Sequence, residues 1–155
     1  MNSLYKFQLL SWPERWLLVQ ALFLLPLTAL ALRFLGFRRW QSTLASLVPI
    51  DEALAAGQDE TAVQQAQITA KVVKAAARRG PYRANCLQQS LVLWWLLRRQ
   101  EITSELRIGV RKEGSRLEAH AWVEFLGAVL NESNDVRQHF EPFDRAVLAV
   151  GVKSQ

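Results

Sequence analysis

Only one cysteine, Cys86, and two histidines, His120 and His139, occur among the 155 residues. A single thiol excludes an internal disulfide framework and any cysteine-rich zinc site, so nothing in the chain calls for an oxidising compartment. There is also no P-loop, no G-x-G-x-x-G turn, no H-E-x-x-H helix and no G-x-S-x-G elbow. Nucleotide-dependent, zinc-dependent and serine chemistry therefore have no local support, and no cofactor is expected. No internal repeat or low-complexity tract is visible. The net charge of +5 and the pI near 9.9 favour acidic partners. The basic residues are scattered as pairs, Arg38-Arg39, Arg78-Arg79, Arg98-Arg99 and Arg111-Lys112, mostly at the ends of apolar segments. That scatter argues against a nucleic-acid surface, where a tract interleaved with aromatics is expected.

Half of the residues are apolar, enough for the core of one domain. Residues 16–32, WLLVQALFLLPLTALAL, carry no charge. As a helix they would reach about 25 Å, a little short of a hydrocarbon core of roughly 30 Å. A segment apolar on every face either packs on a domain or contacts lipid. Ala29-Leu30-Ala31 resembles a signal-peptidase site, but Glu14 lies where a leader should be basic. If the segment spans a membrane, Arg33, Arg38 and Arg39, set against Lys6, Glu14 and Arg15, place the rest of the chain in the cytoplasm. The expectation is a cytoplasmic protein, with membrane association through this helix left open. Residues 1–50 are read as a hydrophobic helical region and residues 51–155 as the domain that carries the chemistry.

Further along, residues 41–57 read as a turn plus a short helix, with Pro49 and Gly57 as breakers. Residues 59–79 predict a helix, capped by Asp59 and ended by Arg78-Arg79 and Gly80-Pro81. Residues 86–99 predict another, with Leu87, Leu91, Trp94 and Trp95 as its apolar stripe and the buried spine of the domain as its place. After Gln100 the period changes to two. Residues 105–111, 117–125 and 129–133 predict strands, with Leu126-Gly127 as a tight turn and residues 146–152 as one more strand. The expected class is α+β, helices first and then an antiparallel meander.

Cys86 opens the spine helix, and His120 sits in the strand-like run Ala119-His120-Ala121-Trp122-Val123-Glu124. A thiol attacks only as thiolate, and a helix N-terminus or an imidazolium partner promotes its ionisation. A thiol at a helix start followed by an imidazole on a later strand is the order used by papain-like and transglutaminase-like nucleophiles. Taken alone, Cys86 reads as a small buried residue and His120 as an ordinary strand histidine; the pair in that order points to catalysis. A third group should hold the far imidazole nitrogen, and Asn131, Glu132 and Asp135 are the candidates. With a two-residue turn at 126–127, His120 falls opposite Ser133, Asn131 shares their face, and Glu132 points away unless the register shifts. Trp122 shares the face of His120 and is read either as a wall of the site or as a plain sheet-face aromatic. His139 is read as surface loop. For the oxyanion, the N–H of Cys86 is one natural donor, and Arg83 and Asn85 are near enough in the chain to supply a second.

At these residues the chain resembles the leader peptidases of lasso-peptide biosynthesis, the transglutaminase-like half of the processing B-protein that also occurs as a stand-alone chain. The matching text is Asn85-Cys86-Leu87-Gln88-Gln89-Ser90-Leu91, then Leu106-Arg107-Ile108-Gly109-Val110, then residues 119–124 followed by Gly127. Trp12-Pro13-Glu14-Arg15 and the apolar region after it are similar to what stand-alone members carry. The resemblance implies a transglutaminase-like, papain-like core and a Cys-His-Asp hydrolase that removes the leader from a ribosomally made precursor peptide. It also implies two partners, a small leader-recognition protein and an asparagine-synthetase-like lactam cyclase. Cys86 and His120 match the family's thiol and imidazole. The family's acid falls at or next to Glu132, where this chain has Asn131-Glu132 and no aspartate. Two other readings compete: acyl transfer to an amine, and a membrane-attached binding module in which Cys86 and His120 are core residues.

Overall fold

The computed structural model describes residues 11–49, 59–133 and 135–142. Four helices come first: α1 (Trp12–Phe34), α2 (Phe37–Leu47), α3 (Glu60–Arg79) and α4 (Cys86–Arg99). Strands β1 (Glu105–Glu113), β2 (Arg116–Phe125) and β3 (Ala128–Val129) follow, then the single turn α5 (Val136–His139) and the short β4 (Glu141–Pro142). The strands form one antiparallel sheet in the order β3-β2-β1-β4. Helices followed by an antiparallel sheet is the α+β order read from the hydrophobic periods. The strand expected at 146–152 lies outside the described residues.

Helix α1 is held at its start by Glu14, whose Oε2 accepts from both the N–H and the hydroxyl of Ser11 at 2.7 Å. Leu17, Ala21, Leu25, Thr28 and Ala31 form its buried stripe against α3 and α4. Pro26 removes one helical hydrogen bond, yet the helix continues because that stripe is packed on both sides of it. Gly36, at φ 77°, then turns the chain into α2. The short helix expected after residue 41 therefore begins earlier, at Phe37, directly behind that left-handed glycine. The end of α2 is tied to α4 by Arg98, whose Nε and Nη2 donate to the Val48 carbonyl at 3.1 and 2.9 Å while its guanidinium lies 4.9 Å over the Trp94 ring. A cation there meets the negative end of the α2 dipole, and partial burial pulls its pKa below the ordinary arginine value.

Helix α3 starts and ends as its caps predict, with Asp59 Oδ1 accepting from Ala62 N–H at 3.2 Å and Arg78-Arg79 in the last turn. At its C-cap, a Cβ on Gly80 would lie 2.5 Å from the Ala76 carbonyl oxygen and 2.8 Å from Leu22 of α1. The absence of a side chain is what lets the two helices close at that point. Helix α4 is the spine: it touches α1, α2 and α3 on one side and β1 and β2 on the other. Leu91, Leu93 and Leu97 are fully buried, and one continuous core runs from Leu17 in α1 to Phe125 in β2.

Replacing Arg98 by alanine should lower the unfolding free energy by about 1.5–3 kcal/mol, the usual worth of hydrogen bonds to a charged group. Arg39→Ala, at an exposed position of α2, should stay within about 0.5 kcal/mol of the parent. Urea denaturation of the two variants checks the contrast.

Candidate active site

Cys86 is the first residue of α4 and is half-buried. Asn85, directly before it, is the N-cap: its Oδ1 accepts from Gln88 N–H at 2.9 Å, and Gln88 Oε1 accepts in return from Asn85 N–H and from the Tyr82 hydroxyl, each at 3.1 Å. Gln89 Nε2 donates to the Ala84 carbonyl at 2.8 Å. These four bonds fix the turn that delivers the thiol. They commit the oxygen of Asn85 to the cap, and Arg83 faces solvent. The backbone N–H groups of Cys86 and Leu87 precede the first helical bond, Gln89 N–H to Asn85 O, and point out of the helix end.

His120 lies on β2, across from Gly109 of β1. Strand alternation puts His120, Trp122 and Glu124 on one face and Ala121, Val123 and Phe125 on the other, which packs against the helices. Gly109 is small for a reason: a Cβ there would lie 2.8 Å from the Trp122 ring and 2.9 Å from Phe140. The bare glycine lets Trp122 lie across β1, fully buried, and brings Phe140 over the imidazole at a centroid distance of 5.1 Å. Trp122 Nε1 donates to Glu124 Oε1 at 2.8 Å, and Arg137 Nε donates to the same oxygen at 2.8 Å. About four residues, or ~13 Å, along the strand from His120, Arg107, Glu124 and Arg137 help to line a cavity of about 370 Å³.

The third strand decides the rest. Leu126 and Gly127, at φ 47° and 79°, make the two-residue turn, and Phe125 pairs with Ala128 as the register predicts. The strand expected at 129–133 nevertheless stops at Val129. Leu130 N–H still donates to Val123 O at 2.9 Å, but Val123 N–H turns to the side chain of Asn131, whose Oδ1 accepts it at 2.8 Å. Two residues along the same edge, the Ala121 carbonyl accepts from Ser90 of α4 at 3.0 Å, and Asn131 Nδ2 donates to that hydroxyl at 2.9 Å. A side chain and a helix thus replace the missing strand.

This corrects the expected placement of the two acid candidates. Asn131 does not share the imidazole's face: both ends of its carboxamide are engaged in the buried link between β2 and α4. Glu132 does not point away, because once the ladder has ended the alternation no longer governs it. Its Oε1 lies 3.3 Å from His120 Nε2. A carboxylate there can accept from Nε2 when that nitrogen carries a proton, and Nδ1 is then the nitrogen with the lone pair. Asp135 lies with His139 instead, its carboxylate 3.9 Å from His139 Nδ1 and held below the usual range by a hydrogen bond from Ser133. His139 is exposed, as expected, although on the α5 turn and not in a loop.

Ser90 ties the two halves of the site together. It follows Cys86 by four residues, so the two share a helix face one turn apart. Its bond to the Ala121 carbonyl brings that face to the open edge of β2, beside His120. Ser90, Gly109 and Phe140 are the positioning residues that pattern reasoning passed over. A glycine within a strand signals a close approach and could have flagged Gly109; Ser90 and Phe140 leave no local trace. Among the described residues no group of three or more His, Cys, Asp or Glu side chains is placed to hold a metal ion.

Helices that precede an antiparallel sheet, with a cysteine at the head of the central helix and a histidine on the second strand, define a transglutaminase-like arrangement. The chain belongs to the transglutaminase-like superfamily, whose family model matches residues 29–145. The match begins within α1 and takes in the central helix and the whole described sheet. No curated protein and no solved structure matches the chain. The superfamily includes cysteine peptidases and acyltransferases.

Asn131→Ala should cost about 1–3 kcal/mol in chemical denaturation, because Val123 N–H is left buried without an acceptor. Gly109→Ala should act differently: with Trp122 and Phe140 forced to shift, the Trp and His resonances of β2 should move in NMR spectra while the helices keep theirs. Unchanged β2 resonances would show that Phe140 does not set the imidazole's position.

Proposed function

We propose that this protein is a cysteine peptidase that removes the leader from a ribosomally synthesised precursor peptide of the lasso type. The observation that carries the reading is Glu132 at 3.3 Å from Nε2 of His120, which lies on the strand whose Ala121 carbonyl is bound by Ser90, one turn along α4 from Cys86. Cys86 is the nucleophile, His120 the general base and acid, and Glu132 the group that orients the ring. Imidazole Nδ1 takes the thiol proton, and Sγ attacks the carbonyl carbon of the scissile peptide bond. The C–N bond breaks as the imidazolium returns the proton to the departing amine, which leaves a thioester on Cys86. Water, deprotonated by the same nitrogen, then attacks the thioester, releases the carboxylic acid and restores the thiol. Negative charge on the tetrahedral oxygen is met by the N–H groups of Cys86 and Leu87 at the head of α4. Phe140, stacked on the imidazole at a centroid distance of 5.1 Å, keeps water from that side of the ring.

The leader-peptidase reading rests on the resemblance in residues 85–91, 106–110 and 119–124. With it come a small leader-recognition protein and an asparagine-synthetase-like lactam cyclase as partners, and a cytoplasmic location. Acyl transfer is the second reading, favoured by membership of a superfamily that includes acyltransferases: an amine, in place of water, would resolve the same thioester.

Incubation with a precursor peptide, its leader-binding partner and a competing primary amine tests both. The expected products are free leader and free core peptide; an amide of the added amine would instead make the protein a transferase. Cys86→Ala should abolish cleavage, and Glu132→Ala should lower kcat/KM by about 10²- to 10⁴-fold. Cleavage by Cys86→Ala at the parent rate would rule the thiol out.

A further inference from the structure

The side of α1 turned away from the protein is a second apolar surface. Trp12, Trp16, Phe23, Leu27, Leu30 and Phe34 are all exposed, Trp12 by 82 %, Phe23 by 73 % and Phe34 by 76 %. At 100° per residue these six side chains fall within an arc of about 60°. They make one stripe about 33 Å long at 1.5 Å per residue. No charge interrupts it between Arg15 and Arg33. Only 28 % of the most apolar window of this helix is buried against the rest of the protein.

By length and composition the helix is able to cross a membrane, but its opposite side is already taken. Leu17, Ala21, Leu25, Thr28 and Ala31 are packed along nearly its whole length. Gln20 Oε1 accepts from Arg99 of α4 at 2.6 Å. An upright helix would draw α3, with Lys71, Lys74, Arg78 and Arg79, into hydrocarbon. Only a helix lying in the surface leaves the domain in water and the stripe in lipid.

Charge names the partner. Arg33, Arg38 and Arg39 are exposed around the Gly36 turn at the C-terminal end of the stripe, and none of them pairs with a carboxylate among the described residues. At the other end Arg99 lines a groove of about 240 Å³ beside Trp16. Trp12 and Trp16 carry the indoles that suit the level of lipid headgroups. From the apolar stripe bounded by cations at both ends, we infer that α1 docks this protein in the plane of an anionic lipid bilayer, with the catalytic domain on the same side as both helix ends. The inference stands independently of the peptidase reading.

The test adds the full chain to preformed vesicles, either pure phosphatidylcholine or a mixture with phosphatidylglycerol, and measures co-sedimentation. Binding to the anionic vesicles should be at least about tenfold tighter, and should weaken in high salt as screening shortens the reach of the arginines. The triple variant Phe23→Gln, Leu27→Gln, Leu30→Gln should lose at least about tenfold on anionic vesicles while keeping the parent circular dichroism. Arg33→Gln, Arg38→Gln, Arg39→Gln should erase the preference for the anionic lipid. For orientation, Ser11→Cys and Arg38→Cys, each made in a Cys86→Ala background, should both react with an impermeant maleimide added outside. Labelling at one end only would mean a spanning helix and overturn the inference. So would equal binding to both vesicle types, or a dimer in lipid-free solution that the glutamine triple dissolves, which would seat a second copy on the stripe.

Discussion

Two side chains and one strand edge hold the two halves of this protein together. Ser90 on α4 donates to the Ala121 carbonyl, and Asn131 binds both Ser90 and the Val123 N–H. All are buried, where an unmet backbone group costs far more than a made bond returns. The strand that should have satisfied this edge stops after two residues. The helix is therefore obliged to supply a hydroxyl, from Ser90, one turn after Cys86. A thiol at the head of a helix and an imidazole on a strand are common features taken singly. What relates them here is a network that serves first to satisfy amides and carbonyls.

The same early end of β3 places Glu132. In a continuing strand Glu132 would face away from His120; with the ladder broken its carboxylate comes round to Nε2. Asparagine at 131 is what makes the break tolerable, since its carboxamide mimics a backbone peptide toward Val123. The two neighbouring residues that both suit an imidazole partner in principle thus divide the work, one building the edge and the other meeting the ring. On the far face of the sheet a glycine does the comparable service. Gly109 leaves space for Trp122 and Phe140, and Phe140 stacks on the imidazole.

Helix α1 shows how one apolar segment meets two demands. Its leucines, alanines and aromatics are distributed around the helix so that no polar face marks it as amphipathic. The packed stripe is built of small and medium side chains, Ala21 and Thr28 among them, which allow close contact with α3. The exposed stripe carries the large ones. Size and not polarity separates the two faces, which is why hydropathy alone reads the segment as uniform.

From the sequence by itself came the order of helices then strands, the caps of α3, the two-residue turn and its register, and the places of Cys86 at a helix start and His120 on a strand. Each rests on local rules: periodicity, capping chemistry and the positive φ of a turn. What only the tertiary structure decided was where β3 ends, which of Asn131 and Glu132 meets the imidazole, and which side of α1 is covered. These depend on Ser90, 31 residues before Ala121, and on contacts of α1 with helices far along the chain. A hydrogen bond across such a separation leaves no mark in the spacing of neighbours, because the chain between is free to take any path until the core has closed.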